Sequence, residues 1–93
     1  MGHEYTLRFR SESAADVIRV LRTLPQVDTI DLIGGYEVVT LRAAGASGEM
    51  PSATVSVGED GVVFVDYGAG AELLAVVERL LSSAFGPVTR DEL

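Results

Sequence analysis

The chain has 93 residues, 47% of them apolar, with a mean hydropathy of +0.29, no cysteine and a net charge of −7. One domain spanning residues 1–93 is expected at this length, with apolar content ample for a folded core. Missing cysteine excludes disulfides, thiolate metal ligands and thiol nucleophiles, acidity disfavours nucleic-acid phosphates as partners, and no apolar run approaches the ~18 residues of a membrane span.

Along the chain, Glu4 to Arg10 alternates strictly. Tyr5, Leu7 and Phe9 share one face and Thr6, Arg8 and Arg10 the other, which predicts a half-buried strand. Ser13 then opens a helix, with Asp16 three residues on as a weak capping box. Ala14, Val17, Ile18, Leu21 and Leu24 follow its apolar stripe, and Pro25 stops it near Leu24. Val27–Ile33 and Tyr36–Arg42 flank Gly34 and Gly35, a strong hairpin signal because both central residues need positive φ. That turn sets Ile30 opposite Val39 and Leu32 opposite Glu37.

Residues 43–51 are rich in Ala, Gly and Ser without periodicity, and read as a flexible loop. A second hairpin follows, Ser52–Val57 and Val62–Tyr67 about a turn at 58–61. Its second strand is apolar on both faces, which predicts a central position or cover on both sides. The last helix is expected over about Ala69–Phe85, stopped by Gly86 and Pro87. Residues 88–93 read as a frayed tail.

The order is therefore βαββββα. The fold class is α+β: a single small domain with a mainly antiparallel five-stranded sheet and two helices on one face. The other face, with Thr6, Arg8, Arg10, Asp31, Thr40, Thr54 and Ser56, is left to solvent or a partner.

The junction Gly68, Ala69, Gly70 between a strand and a helix resembles the place where nucleotide-binding folds hold phosphate. A dinucleotide fingerprint would need a third glycine where Leu73 stands, and a P-loop would need lysine, which the chain lacks. Asp66 and Glu72 flank the junction and repel anions, so it reads as a bend. His3 is the only histidine and lies near the chain's start, so neither a triad nor a histidine metal site is expected. Asp28 and Asp31, at odd spacing on a strand, are expected to point to opposite faces. Asp66 and Tyr67 read as strand-end capping and packing. No catalytic, cofactor-binding or metal-binding residue is assigned, and an enzyme is not expected.

The charge is uneven. Residues 1–26 carry four arginines against three acids, and residues 27–93 carry three arginines against eleven acids. Arginine and tyrosine favour interfaces, so Arg8, Arg10, Arg42 and Tyr36 are candidate partner-binding residues, together with Asp31 and the hairpin-tip acids Glu59 and Asp60. The alternative role for the arginines is cross-strand pairing with Asp31.

The function expected is a non-enzymatic protein–protein interaction module. Small size and acidity suit an inhibitor or immunity-type protein masking a basic partner. The alternative is a small-ligand or enzymatic domain with a pocket under the 43–51 loop. A homodimer would also cover the apolar excess. No cofactor, nucleic acid or membrane is expected as a partner. With no signal peptide read at the start, the expected location is the cytoplasm, and the closing Arg90–Leu93, which resembles an endoplasmic-reticulum retention signal, reads as coincidence. The absence of lysine and asparagine fits a GC-rich bacterial genome.

Overall fold

A computed structural model describes residues 3–43, 50–68 and 71–93. The elements are β1 (His3–Arg8), α1 (Ala14–Leu21), β2 (Val27–Ile33), β3 (Tyr36–Leu41), β4 (Ala53–Val57), β5 (Gly61–Asp66), α2 (Ala71–Phe85) and β6 (Thr89–Glu92). The strands form one sheet in the order β2-β3-β4-β5-β1-β6, every pairing antiparallel. The class is α+β, as the sequence predicts, with six strands rather than five.

The first hairpin and α1 form for local reasons. The Gly34–Gly35 turn has φ of +60° and +86°, the two-positive-φ geometry whose twist matches that of paired strands. It sets the predicted register, Ile30 opposite Val39 and Leu32 opposite Glu37. α1 is capped as expected: the Ser13 side chain accepts a hydrogen bond from the Asp16 backbone N–H at 3.3 Å. It ends at Leu21, a little before the predicted stop.

Topology then decides where the helices go. Counting antiparallel steps along the sheet, β1 runs parallel to β2 and β5 runs parallel to β6. The β1-α1-β2 and β5-α2-β6 connections are therefore parallel crossovers, moving in opposite lateral directions from oppositely directed strands. Crossovers of this kind are almost always right-handed, and two right-handed ones so arranged land on the same face. Burial agrees: Val17, Ile18 and Leu21 of α1 and Leu73, Leu74, Val77 and Leu81 of α2 are buried with Leu7, Val39, Leu41, Val55, Val57, Val62 and Phe64 of the sheet.

Residues 88–93, read from the sequence as a frayed tail, instead supply β6. The strand pairs with β1 from Tyr5–Glu92 to Arg8–Thr89, and the Leu93 backbone N–H donates to the Glu4 carbonyl at 2.8 Å. Arg90 anchors it. Its Nε lies 3.0 Å from Glu78 Oε1, a charge contact outside hydrogen-bond geometry, and its guanidinium sits 5.9 Å from the Tyr5 ring centroid. The physical reason for the missed strand is that Thr-Arg-Asp-Glu has neither alternation nor apolar residues; a neighbouring edge makes it a strand.

Among the described residues, Gly61 is the one glycine that its neighbours require. Its φ is +153°, and a Cβ there would meet the Leu7 carbonyl oxygen at 2.1 Å. Gly61→Val is expected to destabilise the fold by about 3 kcal/mol, combining backbone strain and overpacking, as measured by urea denaturation. Truncation after Val88 is expected to remove ~2 kcal/mol and, by baring the β1 edge, to make the thermal transition concentration-dependent. A truncated chain that melts as the full chain does would return residues 89–93 to the status of a tail.

Candidate protein-binding face

The sheet face away from the helices is built by alternation. Residues paired out of phase with the core set lie on it: Glu4, Thr6 and Arg8 of β1, Val63 and Val65 of β5, Thr54 and Ser56 of β4, Tyr36, Val38 and Thr40 of β3. Asp31 and Ile33 of β2 continue it on one side, and Thr89 and Asp91 of β6 on the other. Among the described residues, no helix covers these side chains. Val38, Val63 and Val65 are half-buried by their neighbours alone, and Tyr36 and Ile33 are exposed at 59% and 60%.

Part of this face is hollow. A concavity of about 530 Å³ is lined by Glu4, Thr6, Arg8, Tyr36, Ser56, Asp60, Val63 and Val65, with Gly58 and Gly61 among the remaining lining residues. The small side chain of Ser56 and the missing one of Gly61 leave the space between Tyr36 and Arg8. The floor is valine and the margin polar. Glu4, Asp31, Asp60 and Asp91 put four carboxylates on or beside the face, and Arg8 is the one cation among the face residues named above. These four acids have no ion-pair partner among the described residues. On the helix side Asp16 pairs with Arg19 at 3.1 Å and Glu78 with Arg90, while Glu37 and Glu72 have no ion-pair partner among the described residues.

The structure sorts the candidate residues. Arg8, Tyr36 and Asp60 come together around the concavity, and Glu59 adjoins Asp60 at the β4–β5 turn. Asp31 lies on the same face opposite Val38. Arg10 does not join them as alternation predicted, because β1 ends at Arg8. Beyond it the Phe9 N–H donates to the Asp60 carbonyl at 3.4 Å, and the Phe9 ring stacks on Phe85 at 5.3 Å, drawing the chain towards α2. Arg10 instead lines two other hollows, one shared with Arg8, Asp60 and Phe85 and the other with Glu12 and Phe85.

Arg42 is likewise elsewhere. Its Nε donates to Asp28 Oδ2 at 2.9 Å, at the end of β3 away from Tyr36. The cross-strand partner is thus Asp28 rather than Asp31. The β2–β3 register shifts between Val27 and Thr29, so Asp28 is the extra residue of a bulge. Strict alternation therefore does not carry from Asp31 to Asp28, and their odd spacing does not decide their faces. Asp66 does act at a strand end, accepting from the Gly68 N–H at 2.8 Å. Residues 69 and 70 of the glycine junction, and residues 44–49 of the loop proposed to cover a pocket, lie outside the described residues. Ala43, Met50 and Pro51, which flank that loop, do not line the concavity.

Sequence reasoning missed Val63, Val65, Glu4 and Asp91 as members of the site. The signal for the valines was present in the two-sided apolar strand; the acids needed the strand order. Among the described residues, no three His, Asp or Glu side chains gather as a metal site requires, and no helix is long and apolar enough to cross a membrane. Comparison with protein-family models, curated proteins and solved structures gives no match, so the face is read from its own chemistry.

The face assignment has a sharp test. Val63→Lys, on the uncovered side, is expected to change stability by less than about 1 kcal/mol. Val62→Lys, one residue away and 2% exposed, is expected to lose ~4 kcal/mol or to unfold the chain, because it buries an unpaired ammonium. Chemical denaturation of the two variants side by side makes the comparison.

Proposed function

We propose that the protein is a non-enzymatic binding module for a basic protein partner, engaged through the uncovered sheet face. The observation that carries this reading is the valine-floored concavity with unpaired carboxylates around it. Apolar contact at the centre of such a surface supplies affinity. The carboxylates speed encounter with a positively charged partner and exclude acidic ones. A net charge of −7 acts in the same direction. An inhibitor that masks a basic active or binding surface is one form this module would take.

The test separates specific docking from mere acidity. Immobilised protein is challenged with extract of the native host at low and high salt, beside the double variant Val63→Glu, Val65→Glu. That variant adds negative charge while removing the apolar floor. Specific docking predicts a basic protein retained by the native chain and lost by the variant, with retention weakening as salt rises. Equal or greater retention by the more acidic variant would reduce the reading to nonspecific charge attraction.

A further inference from the structure

The two edges of the sheet are protected unequally. β6 is short, and its Thr89, Arg90, Asp91 and Glu92 are exposed and mostly charged, the usual guard against strand addition. β2 is longer and carries no lysine, arginine or proline. The bulge at Asp28 interrupts only its first half. The second half, Thr29–Ile33, pairs regularly with β3 on one side and, among the described residues, with no strand on the other.

The end of this half lies beyond the reach of the helices, whereas Ile30 still packs against the core. Leu32 sits opposite Glu37, which pairs with the buried Val57, so Leu32 belongs to the helix-side face; it is nevertheless 73% exposed. Ile33, on the opposite face, is 60% exposed. A two-residue turn makes the flanking pair, Ile33 and Tyr36, the hydrogen-bonded one, and alternation then turns the N–H and C=O groups of Ile30 and Leu32 outward. The free edge thus presents backbone donors and acceptors, an apolar side chain on each face, and the carboxylate of Asp31. Asp31 has no hydrogen-bond or ion-pair partner among the described residues.

We infer that the outer edge of β2 accepts an extended segment of a basic protein as a seventh strand, with an arginine or lysine of that segment opposite Asp31. The inference rests on the protein-binding reading above and adds to the face a second contact at the edge beside it. Charge decides the occupant. In the self-pairing that uses all of Thr29–Ile33, the antiparallel centre falls on Asp31, which sets this carboxylate against its own counterpart; like charges directly opposite destabilise a sheet. The smallest shift that keeps faces matched is two residues, and it gives up ladder pairs. A second copy also brings another −7 of charge. A foreign strand carrying a cation at that place meets neither obstacle, and strand addition draws its affinity from main-chain bonds and its selectivity from alternate side chains.

The probe is a short peptide alternating valine and threonine with a central arginine, compared with a twin carrying glutamate there. Binding is followed at low salt by fluorescence anisotropy, and the site by amide chemical shifts and hydrogen exchange. The arginine peptide is expected to bind at least about tenfold more tightly than its twin, and to protect the Ile30 and Leu32 amides. Asp31→Arg is expected to reverse the preference, Leu32→Lys to weaken binding about tenfold, and Glu12→Arg, in the exposed loop before α1, to leave the preference unchanged. No binding of the arginine peptide, or a preference unmoved by Asp31→Arg, would overturn the proposal. So would a free protein that sediments as a dimer with Ile30 and Leu32 already protected, since a second copy would then hold the edge. Shifts confined to Val38, Val63 and Val65 would overturn the edge while leaving the protein-binding reading standing.

Discussion

Two helices are narrower than six strands, and most of what is distinctive about this molecule follows from that mismatch. Six strands at about 4.8 Å each cover ~29 Å. Two helices side by side, each about 10 Å across, cover ~20 Å. The shortfall is close to two strands. α1 and α2 pack against each other and lean on the central β4 and β5, so it falls at the edges, β2 among them. Leu32 is left in the open on the face that elsewhere forms the core. Both crossovers put their helices on one side, so no described element covers the opposite face.

One side of the sheet is built from the ends of the described chain. β2 to β5 form a meander of neighbours, but β1 inserts between β5 and β6, and its Leu7 is fully buried. Tyr5 lies beside Phe64 and under Arg90, and Phe9 stacks on Phe85. The first strand is therefore what joins the meander to the last helix and strand. The same insertion brings Glu4 beside Val65 and Asp91 beside Thr6. Acids distant in sequence thereby gather on the bare face, while Asp16 and Glu78 find arginines on the helix side.

Legibility followed the range of each interaction. The β2–β3 register was readable because a two-glycine turn and period-two alternation act within a dozen residues. The α1 cap was readable for the same reason. Alternation failed where tertiary contacts intervened: at Arg10, past the stacking of Phe9 on Phe85, and at Asp28, where a bulge resets the count. β6 was invisible because its residues carry no strand preference; the unpaired edge of β1 and the Glu78 carboxylate make it one. Of the candidate site, Arg8, Tyr36 and Asp60 were named from residue type alone. The valine floor was half-seen as a two-sided apolar strand whose second neighbour was unknown.

By itself, then, the sequence determined the elements from β1 to α2, the cap on α1, the first hairpin's register and the acidic, cysteine-free and lysine-free chemistry available to any partner. These depend on periodicity, turn geometry and composition, which are local or global properties of a string. Tertiary structure alone decided the strand order, the sixth strand, which carboxylates stay unpaired, and which edge stays open. Those depend on which surfaces meet, and a surface is shared by residues that the chain keeps far apart.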